Sequence, residues 1–202
     1  MKVNRRTQAE RTAATRHALR TAARGLFAEH GFAGVGTQMI VDAAGVSRGA
    51  LYHQFGDKTG LFAAVFDDVE SEVIAATATA MSTADADDPL GALVIGFDDF
   101  TARLADPALS RIILIDAPAV LGWQEWRARG EQYGFSVVEA VLGQAVELGQ
   151  LRPQPLRPLA HLVIGAVDEL ALYISRADDP AQARRETRNV IEQLISALAT
   201  QA

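Results

Sequence analysis

Cysteine is missing from this chain of 202 residues. Its absence excludes disulfide bonds, thiolate metal ligands and cysteine nucleophiles, and it suits a reducing compartment. Long apolar runs are missing as well, because no stretch reaches the roughly 18 uninterrupted apolar residues of a membrane span. The first ten residues are polar and basic and lack the apolar core of a signal peptide. We therefore expect a cytoplasmic protein that does not enter a membrane.

Alternating apolar and polar runs bounded by turn residues are also lacking, which argues against a β fold. Alanine occurs 37 times and favours helix. Three Asp-Pro pairs, beginning at Asp88, Asp106 and Asp179, are typical helix starts, with Asp as the N-cap and Pro in the first turn. The sequence predicts an all-α fold of about nine helices, near residues 6–30, 38–44, 48–55, 58–81, 89–105, 107–121, 122–148, 158–176 and 180–200.

Charge is distributed unevenly along the chain. Residues 1–60 contain nine Lys or Arg and four Asp or Glu, whereas residues 61–202 contain ten Lys or Arg and 21 Asp or Glu. A basic N-terminal part on an acidic remainder indicates a polyanion-binding end attached to a second functional unit. We expect a DNA-binding domain over residues 1–57 and a helical ligand-binding and dimerisation domain over residues 58–202.

Two short helices joined by a tight turn are predicted between Thr37 and Phe55. Thr37 is the expected N-cap of the first helix and Ser47 that of the second. Gly45 permits the turn, and Val46 is an apolar plug that fixes the angle between the helices. Such a helix-turn-helix exposes the N-terminal end of its second helix, which fits the DNA major groove.

The run GLFAEHGFAGVGTQMIVDAAGVSRGALYHQFGDKTGLF, residues 25–62, resembles the DNA-binding region of the TetR family of transcriptional regulators. The sequence departs from the family pattern at Val41, where alanine is usual, and at Gln54, where histidine is common. The resemblance implies phosphate contacts by Thr37, Tyr52, His53 and Lys58, and base contacts by Arg48, Gly49 and Ala50. Ser47, at the helix start, favours a phosphate through the free amides beside it. An N-terminal arm with Lys2, Arg5 and Arg6 adds charge, and in this family such an arm enters the minor groove; a solvated tail is the alternative.

For the acidic remainder, the resemblance implies a sensor domain that binds a small, largely apolar effector and forms a homodimer. Polar and aromatic residues interrupt its apolar helices, and we expect the effector pocket among them. The candidates are Asp116, Trp123, Trp126, Tyr133, His161 and Asp168, although each could equally serve the core or a helix cap. Two late helices carry broad apolar faces for dimerisation. These faces comprise Leu159, Leu162, Val163, Ala166, Leu170 and Tyr173 on one helix, and Val190, Ile191, Leu194, Ile195 and Leu198 on the other.

Two other function classes remain open. An all-α enzyme requires a nucleophile–base pair or a metal cluster, but the four histidines are scattered and neighbouring acids point in different directions. We expect no cofactor, no metal and no catalytic residue. A helical protein–protein adaptor without DNA affinity is the remaining alternative. The expected function is a repressor that a small effector releases from a double-stranded DNA operator.

Overall fold

The computed structural model describes residues 7–199, and over this range the regular secondary structure is helical apart from one isolated β-bridge between Leu151 and Ala199. The predicted arm with Lys2, Arg5 and Arg6 lies outside the described residues. The all-α prediction is confirmed. The helices are α1 (Gln8–Gly34), α2 (Thr37–Ala44), α3 (Arg48–Phe55), α4 (Lys58–Met81), α5 (Pro89–Arg103), α6 (Pro107–Ser110), α7 (Ala117–Leu121), α8 (Trp123–Gly130), α9 (Ser136–Glu147), α10 (Leu156–Ser175) and α11 (Pro180–Leu198).

Two π-helical segments join four of these helices into two longer rods. Arg111–Asp116 connects α6 to α7, and Glu131–Phe135 connects α8 to α9. The prediction of continuous helices over 107–121 and 122–148 therefore gave their extent but missed these wider turns. Because a π turn places an extra residue in the helical ladder, it redirects the side chains around it and is frequent at functional sites.

The head, residues 7–57, closes around a small core to which α4 also contributes. Leu19, Ala23 and Phe27 of α1 are fully buried, as the periodicity of the sequence indicates. Phe27 packs edge-on against Phe62 of α4, with 5.2 Å between the ring centroids, and Phe32 lies against both rings. This core holds α2 and α3 in a fixed position.

Local capping residues set most of the helix starts. Asp57, Asp88, Asp106 and Asp179 each accept a hydrogen bond from a backbone N–H of the first turn that follows, so the three Asp-Pro predictions are confirmed. The expectation for Thr37 was wrong: Gly36 is the N-cap of α2, and Thr37 is its first helical residue.

The body, residues 58–199, is a bundle in which α5 packs against α4, α9, α10 and α11. Among the described residues, α10 is the helix that is long and apolar enough to cross a membrane by length and composition alone. It packs within the body against α5, α9 and α11, and core helices of globular proteins share this composition.

Candidate nucleic-acid interface and ligand cavity

The turn between α2 and α3 has the geometry that the sequence predicts. Gly45 adopts a left-handed conformation, with φ 66° and ψ 32°, that residues with a Cβ rarely accept. The backbone N–H of Val46 donates to the Val41 carbonyl at 3.1 Å, and the Val46 side chain packs half-buried against the head core. Val41 is itself buried, as expected. The turn therefore fixes the angle between the two helices.

The N-terminal turn of α3 faces solvent. The Ser47 hydroxyl accepts a hydrogen bond from the Ala50 N–H at 3.2 Å and caps the helix as predicted. Ser47, Arg48 and Gly49 are exposed, and Ala50 is half-buried. A helix start with free amides and small side chains attracts phosphate and lets a groove approach closely.

Arg48, Tyr52 and Thr37 come together beside this turn. The Arg48 guanidinium donates a hydrogen bond to the Tyr52 hydroxyl at 3.2 Å and lies 5.6 Å from the ring centroid. The pKa of Tyr52 is lowered by this hydrogen bond and by the charge of Arg48, with a smaller contribution from the Thr37 hydroxyl. His53 is exposed at the other end of α3. The exposed side presents polar groups that suit phosphates and base edges.

Lys58 has a structural role that the sequence did not reveal. Its ammonium donates hydrogen bonds to the Phe32 carbonyl at 2.9 Å and to the Val35 carbonyl at 2.8 Å, and it lies 3.9 Å from the Phe32 ring centroid. These contacts tie the start of α4 to the corner between α1 and α2. One N–H of the ammonium remains, so the expected phosphate contact stays a prediction.

Arginines of α1 are largely engaged within the protein. Arg16 donates to the Gln54 carbonyl at 2.8 Å, which holds the end of α3. Arg20 pairs with Asp68 of α4, and Arg24 pairs with Glu72 one turn further along, at 2.8 Å. This stripe therefore docks the head against α4.

A cavity of about 100 Å³, partly open to solvent, lies inside the body. Its walls come from α4, α5, α8, α9, α10 and both π-helical segments. Concave sites lined mainly by apolar side chains, with a few polar groups among them, are typical of sites for small organic ligands. The larger apolar side chains on the wall are Ile74, Met81, Leu93, Phe97, Phe100, Ile113, Trp126, Val137, Val138, Val163, Ile164 and Val167.

Two of the six predicted pocket residues, Trp126 and Asp168, line this cavity. The other four lie outside this lining, so their expected contacts with an effector stay predictions. Trp123 is 65% exposed and stacks on the outer side of Trp126, with 4.9 Å between the ring centroids. His161 lies behind the wall, packed against Phe135 and 3.6 Å from the Glu131 carboxylate. Tyr133 is half-buried outside the lining.

Four charged side chains line the cavity: Glu70, Arg127, Glu131 and Asp168. Arg127 pairs with Asp168 at 2.5 Å. Burial raises the pKa of Asp168 to about 6 against the opposing effect of Arg127. Glu70 has no such partner, and burial, with help from Asp168 and Asp67, raises its pKa to about 8. The cavity wall thus holds a carboxyl group that is largely protonated at neutral pH.

Sequence analysis missed Glu70 because it lies within an apolar run. The residue is four positions after Phe66 and three before Val73, on the buried side of α4. An acidic residue at a core position of a predicted helix was therefore the available signal.

Asp116 connects the body to the head instead of lining the pocket. Its Oδ2 accepts a hydrogen bond from the Phe32 N–H at 2.8 Å, directly after Gly31, which breaks α1 with φ 72° and ψ 165°. Arg111 donates to the Glu29 carbonyl at 2.8 Å, near the same end of α1. Both residues belong to the π-helical segment that also places Ile113 on the cavity wall.

The predicted dimerisation faces divide between the body core and solvent. Leu159, Val163, Ile191 and Ile195 are buried within the body. Leu162, Tyr173, Val190 and Leu194 are exposed instead, although they are large and apolar. Exposed apolar side chains on adjacent helices are typical of an interface with another chain.

Two family descriptions match this chain. "Bacterial regulatory proteins, tetR family" matches residues 19–65, and "Tetracyclin repressor-like, C-terminal domain" matches residues 90–198, which is more than half of the chain. The HTH-type transcriptional regulatory protein RaaS of Mycobacterium tuberculosis is 29% identical over 186 residues, which cover 90% of this chain and 82% of RaaS.

Solved structures show the same fold over nearly the whole length. A TetR-family transcriptional regulator from Pectobacterium atrosepticum superposes with a TM-score of 0.83 and 28% identity, covering 97% of this chain and 99% of that one. The structure of RolR in complex with resorcinol has a TM-score of 0.71 at 21% identity, covering 92% and 97% of the two chains.

Proposed function

The chain belongs to the TetR family of bacterial transcriptional regulators, and from that premise we propose that it is a homodimeric repressor released from operator DNA by a small, largely apolar effector. The observation that carries the proposal is the exposed start of α3, where Ser47, Arg48 and Gly49 face solvent above a closed core. The proposed DNA-binding domain comprises residues 1–57 and the proposed ligand-binding and dimerisation domain residues 58–202, and the start of α4 after its Asp57 cap supports this division.

DNA recognition is divided between two kinds of contact. Thr37, Tyr52, His53 and the remaining N–H of Lys58 contact phosphates and set the register, and Ser47 adds the amides at the start of α3. Arg48, Gly49 and Ala50 face base edges. Because Arg48 also contacts Tyr52, this one side chain links the residues that contact phosphates to the residues that contact bases.

Dimerisation uses the exposed apolar side chains of α10 and α11, which form a four-helix interface with the second copy. The support for this interface is the exposure of Leu162, Tyr173 and Val190, each more than half accessible in the single chain. A two-fold dimer presents two α3 helices to half-sites about one turn of DNA apart.

Effector binding acts on the head through the π-helical segment Arg111–Asp116. This segment carries Ile113 on the cavity wall and holds the end of α1 through Arg111 and Asp116. An effector that favours a shifted position of the segment moves the heads away from the half-site spacing. The coupling between the two sites is reciprocal and typically about 1–3 kcal/mol.

The test is fluorescence anisotropy with the full chain and a duplex from upstream of its own coding sequence, beside a scrambled duplex. We expect Arg48→Ala to lose about tenfold in the preference for the upstream duplex. His53→Ala, at an exposed position expected to contact phosphate, should weaken binding to both duplexes alike. Arg185→Ala removes an exposed positive charge of the body and serves as the control. Absence of duplex binding at low salt would favour the adaptor alternative.

A further inference from the structure

Glu70 is a buried acid without a counter-ion. Its side chain lines the cavity, the residue is only 7% exposed, and Oε2 has no hydrogen-bond partner among the described residues. A buried polar atom without a partner carries a desolvation cost that native proteins rarely leave uncompensated. Its presence on the wall of a ligand cavity indicates that the partner comes with the ligand.

The other charges on the wall do not supply that partner. Arg127 is the one cationic side chain that lines the cavity in the described chain, and its guanidinium is paired with Asp168. Glu131 lies at 3.6 Å from His161, which is outside the lining. Three carboxyl groups therefore face one guanidinium, and Glu70 is the one for which the described residues supply no partner. Burial keeps Glu70 largely protonated at neutral pH, and a cation bound beside it would lower its pKa and favour the carboxylate.

Aromatic rings surround the same space. Trp126 of α8 and Phe97 and Phe100 of α5 line the cavity, and all three are nearly completely buried. The Arg127 guanidinium already lies 5.6 Å from the Trp126 ring centroid, so the two phenylalanine rings are the ones available to a further cation. The faces of such rings attract cations, particularly where water is excluded. A carboxylate together with aromatic rings is a suitable environment for an ammonium group.

On these grounds, and building on the proposed function, we propose that the effector is a hydrophobic monocation, an amine or a quaternary ammonium compound, whose positive group binds beside Glu70. Its apolar part occupies the space lined by the aliphatic side chains of α9 and α10, such as Val137, Val138 and Val163. An anionic effector of the same shape would meet three carboxyl groups and one guanidinium that is already paired.

The test compares three compounds that share one skeleton: phenylpropylamine, phenylpropanol and phenylpropanoate. Their affinities for the full-length protein are measured by isothermal titration calorimetry at pH 8, without DNA. The chain has two tryptophans, Trp126 on the wall and Trp123 stacked on it, so intrinsic fluorescence gives a second readout. Glu70→Gln removes the charge at nearly constant shape, and Glu147→Gln, at an exposed position of α9 outside the cavity wall, is the matched control.

We expect the amine to bind wild-type protein on the order of tenfold more tightly than the alcohol, and the propanoate to bind weakest. In Glu70→Gln, the ratio of amine to alcohol should fall to about threefold or less, whereas Glu147→Gln should keep the wild-type ratio. Equal binding of the three compounds, a preference for the propanoate, failure of all three to bind at millimolar concentration, or an unchanged ratio in Glu70→Gln would each overturn the proposal.

This outcome is separable from the proposed function. Release of the upstream duplex by the amine is measured in a second experiment. If the amine binds with the expected preference but the duplex stays bound, the proposed charge preference of the cavity is supported. The proposal that ligand binding releases the protein from DNA is then refuted. If only neutral or anionic compounds release the duplex, the proposed repressor function is supported and the proposal of a cationic effector is refuted.

Discussion

Replacing Glu70 with glutamine is expected to make the protein more stable, and increasingly so as the pH rises. In the folded protein, burial raises the pKa of Glu70 from 4.5 to about 8. Between these values, the unfolded chain has lost the proton that the folded chain keeps. Glu70 therefore makes its full contribution to the free energy of unfolding below pH 4.5. This contribution is lost as the pH rises from 4.5 to about 8. Glutamine is neutral throughout and carries no such dependence.

The size of the effect follows from the shift in pKa. Each pH unit between 4.5 and 8 lowers the free energy of unfolding of the wild type, relative to the variant, by about 1.4 kcal/mol. The accumulated difference at pH 8 is on the order of 4 kcal/mol. At pH 5 the two proteins should differ by less than about 1 kcal/mol, because a protonated carboxyl and an amide are similar in size and polarity.

The assay is urea denaturation followed by circular dichroism at fixed protein concentration, at pH 5, 6, 7 and 8. The other charged groups near Glu70 are Asp67 on α4, Asp168 on α10, and Arg127 and Glu131 beside the cavity. They are present in both proteins, so the difference between the two curves isolates Glu70. Asp168, with a pKa of about 6, gives both proteins a similar slope at lower pH.

Glu147→Gln, at an exposed position of α9, is the control, and its stability should follow that of the wild type at every pH. If the difference between wild type and Glu70→Gln is constant from pH 5 to pH 8, Glu70 is not a buried acid with a raised pKa. That result would refute the reasoning about the cavity wall, whatever the absolute stabilities are.

Three further variants test other contacts. Lys58→Met should lower the free energy of unfolding by about 1–3 kcal/mol in thermal or urea denaturation, because the Phe32 and Val35 carbonyls lose a charged donor; unchanged stability would contradict this role. Gly31→Ala should cost about 1–3 kcal/mol in the same assay, since φ 72° with ψ 165° is accessible essentially to glycine alone. Val190→Asp should yield a monomer in analytical ultracentrifugation, whereas Leu148→Asp, at another exposed apolar position, should not; a dimer in both would exclude α11 from the interface.

Features that depend on neighbours in the sequence could be predicted well. The Asp-Pro starts at Asp88, Asp106 and Asp179 and the Ser47 cap are local hydrogen bonds, so a few residues determine them. Gly45 and Val46 likewise define their turn without help from distant residues.

Features that depend on tertiary packing could not be predicted in this way. The π-helical segments appear where helices pack around the cavity. Pro118 follows RIILID and Gly134 lies within EQYGF, but neither residue type by itself specifies a π turn. Asp116 looked like a pocket residue because it follows an apolar run, but its partner is the Phe32 N–H, 84 residues away in sequence. Trp123 and Trp126 are one turn apart, and only the packed structure distinguishes the exposed ring from the buried one.

The docking of the α1 arginines on α4 has a consequence for how strongly salt should weaken DNA binding. Arg20 and Arg24 are neutralised by Asp68 and Glu72, so they displace few counterions from a duplex. The number of ions released per protomer should therefore be smaller than the nine basic residues among the first 60 indicate. A shallow dependence of the binding constant on ionic strength would let this head discriminate between sequences without holding tightly to DNA in general.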